Sequence, residues 1–464
     1  MMKKMSFWLF AALIYSLSIS IFSCKDDDDD VSRPDVPTEE QADTARLTVI
    51  FYGTVGEDND VQAEEAWRVM QPYLKQKDVR VVVCYKYAKP DFFAGEYAKP
   101  GDVVFFELTD TTDLTKIGDN YAEKWSDLAF FSEATLSSAI DLTVDLAPAH
   151  NYAFLLYGHG GGFDKNIDYE KDMRKADPNQ APRSRAVLYD EWIETAAGDE
   201  AMNMYEFLRG IDNSVVPHFQ SIFFHNCLMG GVETLFDIAP FCDYMVTSGH
   251  MLAMNQAPIR QFIKAVTEQT DIEKAYQQML GNLRPEWDKG YEPMKYNGDL
   301  KLVSSKKLMD NVVQPSQKLV SRLIELYPTM QAQLDTAMIH TYQYLNEDNF
   351  YDLGDYANQV AHYTNDPQLT DIAGELNDAL DQAILGRCDL NFSPYGTLPK
   401  FSLSVVLCSQ ADYQKKTNWD YTFKEAYEYT NWHLFTDWGN WLNTTKQGPK
   451  DQSEGPQGQP VGQY

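Results

Sequence analysis

The chain is expected to fold as an α/β protein, with a mostly parallel sheet flanked by helices and a mainly helical C-terminal region. Three observations predict this. Short runs recur in which nearly every residue is apolar, the mark of strands buried on both faces. Segments with helical spacing fall between them, and such alternation builds a parallel sheet covered on two sides. After about Asp271 the strand-like runs thin out and amphipathic helices dominate.

The elements follow in order. Arg46 to Gly53 (RLTVIFYG) is β-rich and apolar, and Gln62 to Lys75 carries Ala66, Val69, Met70 and Tyr73 at helical spacing. Val79 to Tyr85 (VRVVVCY) and Val103 to Leu108 read as strands, and Ser132 to Leu142 as a helix. Tyr152 to Tyr157 (YAFLLY) is a strand running into Gly158-His159-Gly160-Gly161-Gly162. Ser221 to His225 (SIFFH) is another, running into Asn226-Cys227 and then a helix from Gly230 to Pro240. Beyond 271, Lys306 to Leu326, Thr329 to Tyr344 and Leu369 to Leu385 are amphipathic helices, and Phe401 to Leu407 is a late strand. Trp432, Phe435, Trp438 and Trp441 form a near-helical stripe that reads as core.

The ends are of a different character. Lys3 and Lys4 precede an apolar run from Phe7 to Phe22, too short to favour a stable span, so residues 1–23 read as an export signal. Ser23-Cys24 at its end resembles a bacterial lipobox, which implies lipidation at Cys24. Five aspartates, Asp26 to Asp30, follow; such a block stays solvated, and 24–45 reads as an acidic disordered tether. It resembles the export signal of surface lipoproteins in some Gram-negative bacteria. The expectation is an exported outer-membrane lipoprotein at the cell surface, held to the membrane by its lipid. Residues 446–464 are polar and rich in Pro and Gly, a disordered tail. Between them, 46–270 is taken as the sheet-bearing domain and 271–445 as the helical region.

The 464 residues carry a formal charge of −30, which becomes −32 once Lys3 and Lys4 leave with the signal. A surface so acidic excludes nucleic acid as a natural partner. Against it, Phe163 to Trp192 concentrates Lys165, Lys171, Arg174, Lys175, Arg183 and Arg185 in a long exposed segment, a candidate for proteolytic nicking. Besides Cys24, five cysteines remain (Cys84, Cys227, Cys242, Cys388 and Cys408), none in a CxxC pair. An odd set in an exported chain leaves at least one thiol unpaired within it.

Two strand ends carry the chemistry. Open α/β sheets place their sites at the carboxyl ends of strands. His159 follows one strand and Cys227 another, sixty-eight positions on. Glycines after His159 let the backbone approach a substrate and offer N–H donors where charge develops on an attacked carbonyl, though a tight turn wants glycine as well. Cys227 precedes a helix whose dipole favours a thiolate, and a histidine can orient it and protonate a leaving amine. Taken alone, Cys227 also reads as a small buried hydrophobe.

YAFLLYGHGGGF and FFHNCLMGGVETLFDIAPFCDYMVTSG resemble the two active-site segments of clostripain-type cysteine peptidases. RLTVIFYGTVGEDNDVQ, YDLGDYANQV and FSLSVVLCSQADY are similar to further landmarks of that family, so the resemblance spans most of 46–442. It implies a caspase-like catalytic domain over 46–270 and cysteine endopeptidase activity on peptide or protein substrates. It further implies His159 as catalytic histidine, Cys227 as nucleophile and the Gly160 N–H as oxyanion donor, with no cofactor required. Two positions depart from the family pattern. His225 stands where an aspartate is common, and Asn255 where the specificity pocket has an acid, so arginine preference is in doubt. His225 reads either as a second acid/base group or as a wall or core histidine. Calcium is a candidate ligand through Glu57-Asp58-Asn59-Asp60, although EF-hand spacing is lacking. The alternative function is a non-catalytic surface lipoprotein that uses the same fold to bind.

Overall fold

The structure, a computed structural model, describes residues 44–55, 60–76, 78–87, 101–115, 123–126, 128–162, 186–189, 201–252, 255–291, 297–344, 350–390, 401–407, 427 and 430–445. The expectations placed on the signal, on Cys24 and the tether, on Glu57 to Asn59, on the 163–185 basic stretch and on the 446–464 tail lie outside the described residues.

The strands in chain order are β1 (Ala45–Thr54), β2 (Val79–Lys86), β3 (Val103–Leu108), β4 (Glu123–Trp125), β5 (Ala149–Gly158), β6 (Ala186–Tyr189), β7 (Ala201–Asn203), β8 (Phe219–His225), β9 (Cys242–Thr247), β10 (Gly298–Ser304), β11 (Phe350–Asp352), β12 (Ile384–Leu390) and β13 (Ser404–Val406). Nine of them form one sheet in the order β12-β10-β9-β8-β5-β1-β2-β3-β4. The central five, β2, β1, β5, β8 and β9, are mutually parallel. Antiparallel pairs extend both edges, β2–β3–β4 on one side and β9–β10–β12 on the other.

The helices are α1 (Asp60–Met70), α2 (Glu133–Leu146), α3 (Met204–Asp212), α4 (Val232–Ile238), α5 (Ala257–Glu268), α6 (Ile272–Tyr291), α7 (Val313–His340), α8 (Leu353–Thr364), α9 (Pro367–Ala383), α10 (Asn431–Thr436) and α11 (Trp438–Thr444). Their starts follow local chemistry. Ser132 Oγ accepts from Thr135 N at 3.2 Å to cap α2, and Asn203 with Glu206 forms a reciprocal capping box on α3.

The unbroken apolar runs are explained by burial on both faces. Along β1, Leu47, Val49 and Phe51 pack with Trp67 of α1, Phe262 of α5 and Tyr276 of α6. Ile50 and Tyr52 point the other way, toward Ile140 of α2, Phe207 of α3 and the C-terminal helices. The tryptophan stripe is core: Trp432, Trp438 and Trp441 are buried, while Phe435 is exposed.

Two features were not expected from the sequence. Strands β10 and β12 of the main sheet come from beyond residue 270, in the stretch read as helical. Asp299 and Lys301 in β10, and Arg387 in β12, interrupt the apolar pattern that marks the other strands. The helices read as 306–326 and 329–344 are one kinked helix, α7, with Met330 non-helical (φ −126°) just after Pro328.

Candidate active site

The parallel pairing of β5 and β8 sets Tyr157 opposite His225, so the chain leaves both strands at the same end of the sheet. Beyond β5 come His159 and Gly160; beyond β8 come Asn226 and Cys227. The two turns lie against each other. A Cβ placed on Gly160 would sit 2.7 Å from Asn226 Nδ2 and 3.0 Å from the Cys227 carbonyl oxygen. Gly162, at φ +55°, presses on the Leu228 carbonyl so closely that no side chain fits. His159 is half-buried beside this contact.

The Cys227 turn is held under strain. Leu228 adopts φ +62°, a left-handed conformation that costs a non-glycine residue about 1 kcal/mol or more. Two bonds from the segment after β9 fix it: Leu228 N–H donates to the His250 carbonyl at 3.1 Å, and Gly230 N–H to the Ser248 carbonyl at 2.7 Å. Asn226 is buried, and its Nδ2 donates to the Val187 carbonyl of β6 at 2.6 Å.

Cys227 keeps part of its surface exposed, although protein atoms crowd its sulfur. That crowding pushes the thiol above its ordinary value. The Leu252 N–H, which donates to Sγ at 3.3 Å, pulls the other way. The sequence reading relied on a helix dipole here. Helix α4 begins only at Val232, several residues on, and burial decides the direction of the shift. Among the four described cysteines, Cys84, Cys242 and Cys388 are buried and Cys227 alone reaches the surface. Burial pushes Cys242 up to about 12 and Cys84 higher still.

His225 is fully buried and stacks on Tyr157 at 5.1 Å and 15°, with the Phe223 edge 5.9 Å away. Burial lowers it to about 4. The Asn255 backbone lies close enough to oppose that shift, yet neither ring nitrogen makes a well-formed hydrogen bond among the described residues. The geometry is that of a neutral core histidine. Asn255 is half-exposed, and its Oδ1 accepts from Ala257 N at 2.7 Å at the start of α5. Its oxygen is therefore engaged locally; Ala253 and Met254 before it lie outside the described residues. Gln256 Nε2 reaches Gln62 Oε1 and Tyr157 Oη, each at 3.2 Å.

Among the described residues no group of three or more His, Cys, Asp or Glu side chains is arranged to hold a metal ion. No helix among them is long and apolar enough to cross a membrane. The sequence reading did not single out Leu252 and His250, which meet the Cys227 turn, or Asp299, which binds the segment that carries them. A backbone donor such as Leu252 N–H leaves no mark in residue identity. Asp299 did leave one, a carboxylate that with Lys301 interrupts the apolar pattern of β10.

The sequence profile of the clostripain family, peptidase family C11, matches residues 119–385. No curated protein matches the chain. Among solved structures, the chain resembles a secreted C11 cysteine protease from Bacteroides thetaiotaomicron at 14% identity and a TM-score of 0.60, covering 85% of this chain and 99% of that one. A structure of a secreted C11 cysteine protease from the same organism, in complex with an irreversible peptide inhibitor, aligns at 14% identity and 0.55, covering 85% and 100%. An inactive zymogen C11 protease from Parabacteroides distasonis aligns at 16% identity and 0.55, covering 85% and 98%. At these identities the likeness is one of fold.

Proposed function

This chain belongs to the clostripain family of cysteine-type peptidases, and on that premise we propose that it hydrolyses peptide bonds with Cys227 as nucleophile and His159 as general acid and base. The observation that supports this most is the meeting of the two turns, with Gly160 against Asn226 and Cys227.

In this mechanism His159 takes the Cys227 proton, and the thiolate attacks the scissile carbonyl carbon. The Gly160 N–H donates to the oxyanion that forms. His159 then protonates the leaving amine, the C–N bond breaks, and a thioester remains on Cys227. Water, losing a proton to His159, attacks the thioester; the acid leaves and the thiol is restored. No step calls for a metal or cofactor; calcium remains a structural candidate, tested by whether a chelator changes activity.

Specificity is proposed to differ from cleavage after arginine. His225 is held neutral by burial, and Asn255 spends its oxygen on Ala257, so neither offers charge to a guanidinium. One experiment tests both proposals: wild type, Cys227→Ala and His159→Ala profiled on a peptide library. Both variants should lose about 10²-fold or more in rate, and wild-type products should not be dominated by arginine at the cut. Full activity in Cys227→Ala sinks the mechanism, and an arginine-dominated profile sinks the specificity. A folded wild type that cleaves nothing would favour the binding-module alternative.

Export and anchoring are proposed from the N-terminal sequence, with Cys24 lipidated and the 26–30 aspartates directing surface display at the outer membrane. Fatty-acid labelling lost in Cys24→Ser checks the anchor.

A further inference from the structure

Behind the Cys227 turn lies a buried ionic cluster on β10. Asp299 is fully buried, and most of its partners come from one segment, the turn after β9. Its Oδ1 accepts from Ser248 Oγ at 3.0 Å, from Gly249 N and His250 N at 3.1 Å each, and from His250 Nδ1 at 2.6 Å. Lys301 Nζ meets Oδ2. Because the Asp299 carboxylate can only accept, Nδ1 carries the proton of the neutral ring, and Nε2 on the far side then accepts from Tyr342 Oη at 2.8 Å. Burial holds His250 neutral, lowered to about 3, with Lys301 adding to that effect.

The segment that Asp299 gathers delivers the contacts that shape the nucleophile. The His250 and Ser248 carbonyls hold the left-handed Leu228 turn, and two residues further Leu252 N–H points at Cys227 Sγ. The Leu252 N–H is also the group that opposes the burial of the thiol. A buried ion pair gives a fold little net stability, whereas a multiply bonded carboxylate fixes geometry.

Taking Cys227 as the nucleophile, we propose that Asp299 is a positioning residue: it locks the 248–252 segment so that the Leu252 N–H stays on Cys227 Sγ and favours the thiolate. The charged groups facing the cluster are Lys301, Asp352, Asp389 and Arg387. Nearest along the chain are His225, two residues before Cys227 at the end of β8, and His159, just before the Gly160 that meets the Cys227 carbonyl.

Asp299→Asn replaces an acceptor by a group that is half donor and sets an N–H₂ among Gly249, His250 and Lys301 donors. The test is alkylation of Cys227 in the full mature chain by iodoacetamide across pH, with the modified peptide quantified by mass spectrometry. The midpoint should rise by about one pH unit, equivalent to about tenfold slower alkylation near neutrality. kcat should fall with KM near wild type, in protein whose circular dichroism is unchanged. A lowered melting temperature with a wild-type alkylation profile would overturn the proposal and leave only a fold staple. If Asp299→Asn does not fold, Ser248→Ala decides: it removes one hydroxyl from the cluster and should slow alkylation about two- to threefold, and an unchanged rate overturns the proposal. Alkylation does not require peptide hydrolysis, so failure of the proposed peptidase mechanism would be seen separately, as activity surviving in Cys227→Ala.

Discussion

The ends of β5 and β8 stand side by side but are built on opposite terms. The β8 end is tied from several directions. Leu228 and Gly230 bond to the segment after β9, Gly230 O accepts from Ser404 N at 3.0 Å, and Leu252 N–H reaches the sulfur. Glu233, in the first turn of α4, accepts from Val406 N at 2.9 Å and Tyr427 Oη at 2.8 Å. The β5 end is shaped by what it lacks, since Gly160 and Gly162 leave no room for a side chain against the β8 turn. One turn is held by bonds and the other by fit. A nucleophile needs a fixed direction of attack, and the turn beside it then has only to conform.

The comparison breaks most sharply at Gly160. In Gly160→Ala the new methyl meets Asn226, which is buried and already bonded to Val187, so it cannot yield cheaply. The turn must lift away, taking His159 with it. A misplacement of about 1 Å can cost about 10²-fold in rate, and that loss in kcat/KM is expected with little change in melting temperature. Near wild-type kinetics would mean that the two turns do not depend on close fit.

The positions of these residues in the sequence were legible only in part. His159 and Cys227 were singled out because both follow continuous apolar strands and because their segments resemble those of clostripain-type peptidases; the parallel order of β5 and β8 makes the two strand ends adjacent. The sheet was legible where burial on both faces made it uniformly apolar. It was not legible at β10 and β12, where the buried cluster replaced apolar residues with Asp299, Lys301 and Arg387. Asn255 was read as standing where the specificity pocket has an acid; its Oδ1 accepts from Ala257 N at the first turn of α5, a local use that residue identity alone does not announce.

The ring stack of His225 on Tyr157 is the contact through which the two strands meet just below their turns. Burial lowers His225 from 6.5 to about 4, so the unfolded chain takes up a proton before the folded one does. Above pH 6.5 the group makes no difference; stability is lost as pH falls from 6.5 to about 4. The loss across that window is on the order of 3 kcal/mol. His250, lowered to about 3, acts in the same direction from pH 6.5 down to about 3, while Glu64, raised to about 7 chiefly by burial, acts in the opposite one. Both are retained in His225→Phe, so the difference between wild type and variant isolates His225. Denaturant titrations should show that difference growing toward acid, in favour of the variant. A difference independent of pH would mean that His225 titrates normally and is not enclosed.

The smallest effect is expected where the β8 end is tied to the C-terminal segment. Tyr427→Phe removes one donor from Glu233 Oε1 and leaves the Val406 N–H in place. Losing a hydrogen bond to a buried charged acceptor costs about 1–3 kcal/mol, and the remaining donor places this case near the lower end. Glu233 bonds to β13 and Tyr427, whereas the Leu252 N–H and the Leu228 turn have partners of their own, which they keep. Melting temperature should therefore fall by a few degrees while kcat/KM stays within about twofold of wild type. That outcome separates the ties of the β8 end into two kinds: those through Asp299 that set the thiol, and those through Glu233 that only hold the chain down. A tenfold loss of activity in Tyr427→Phe would erase the distinction, because the C-terminal segment would then be acting on Cys227 as well.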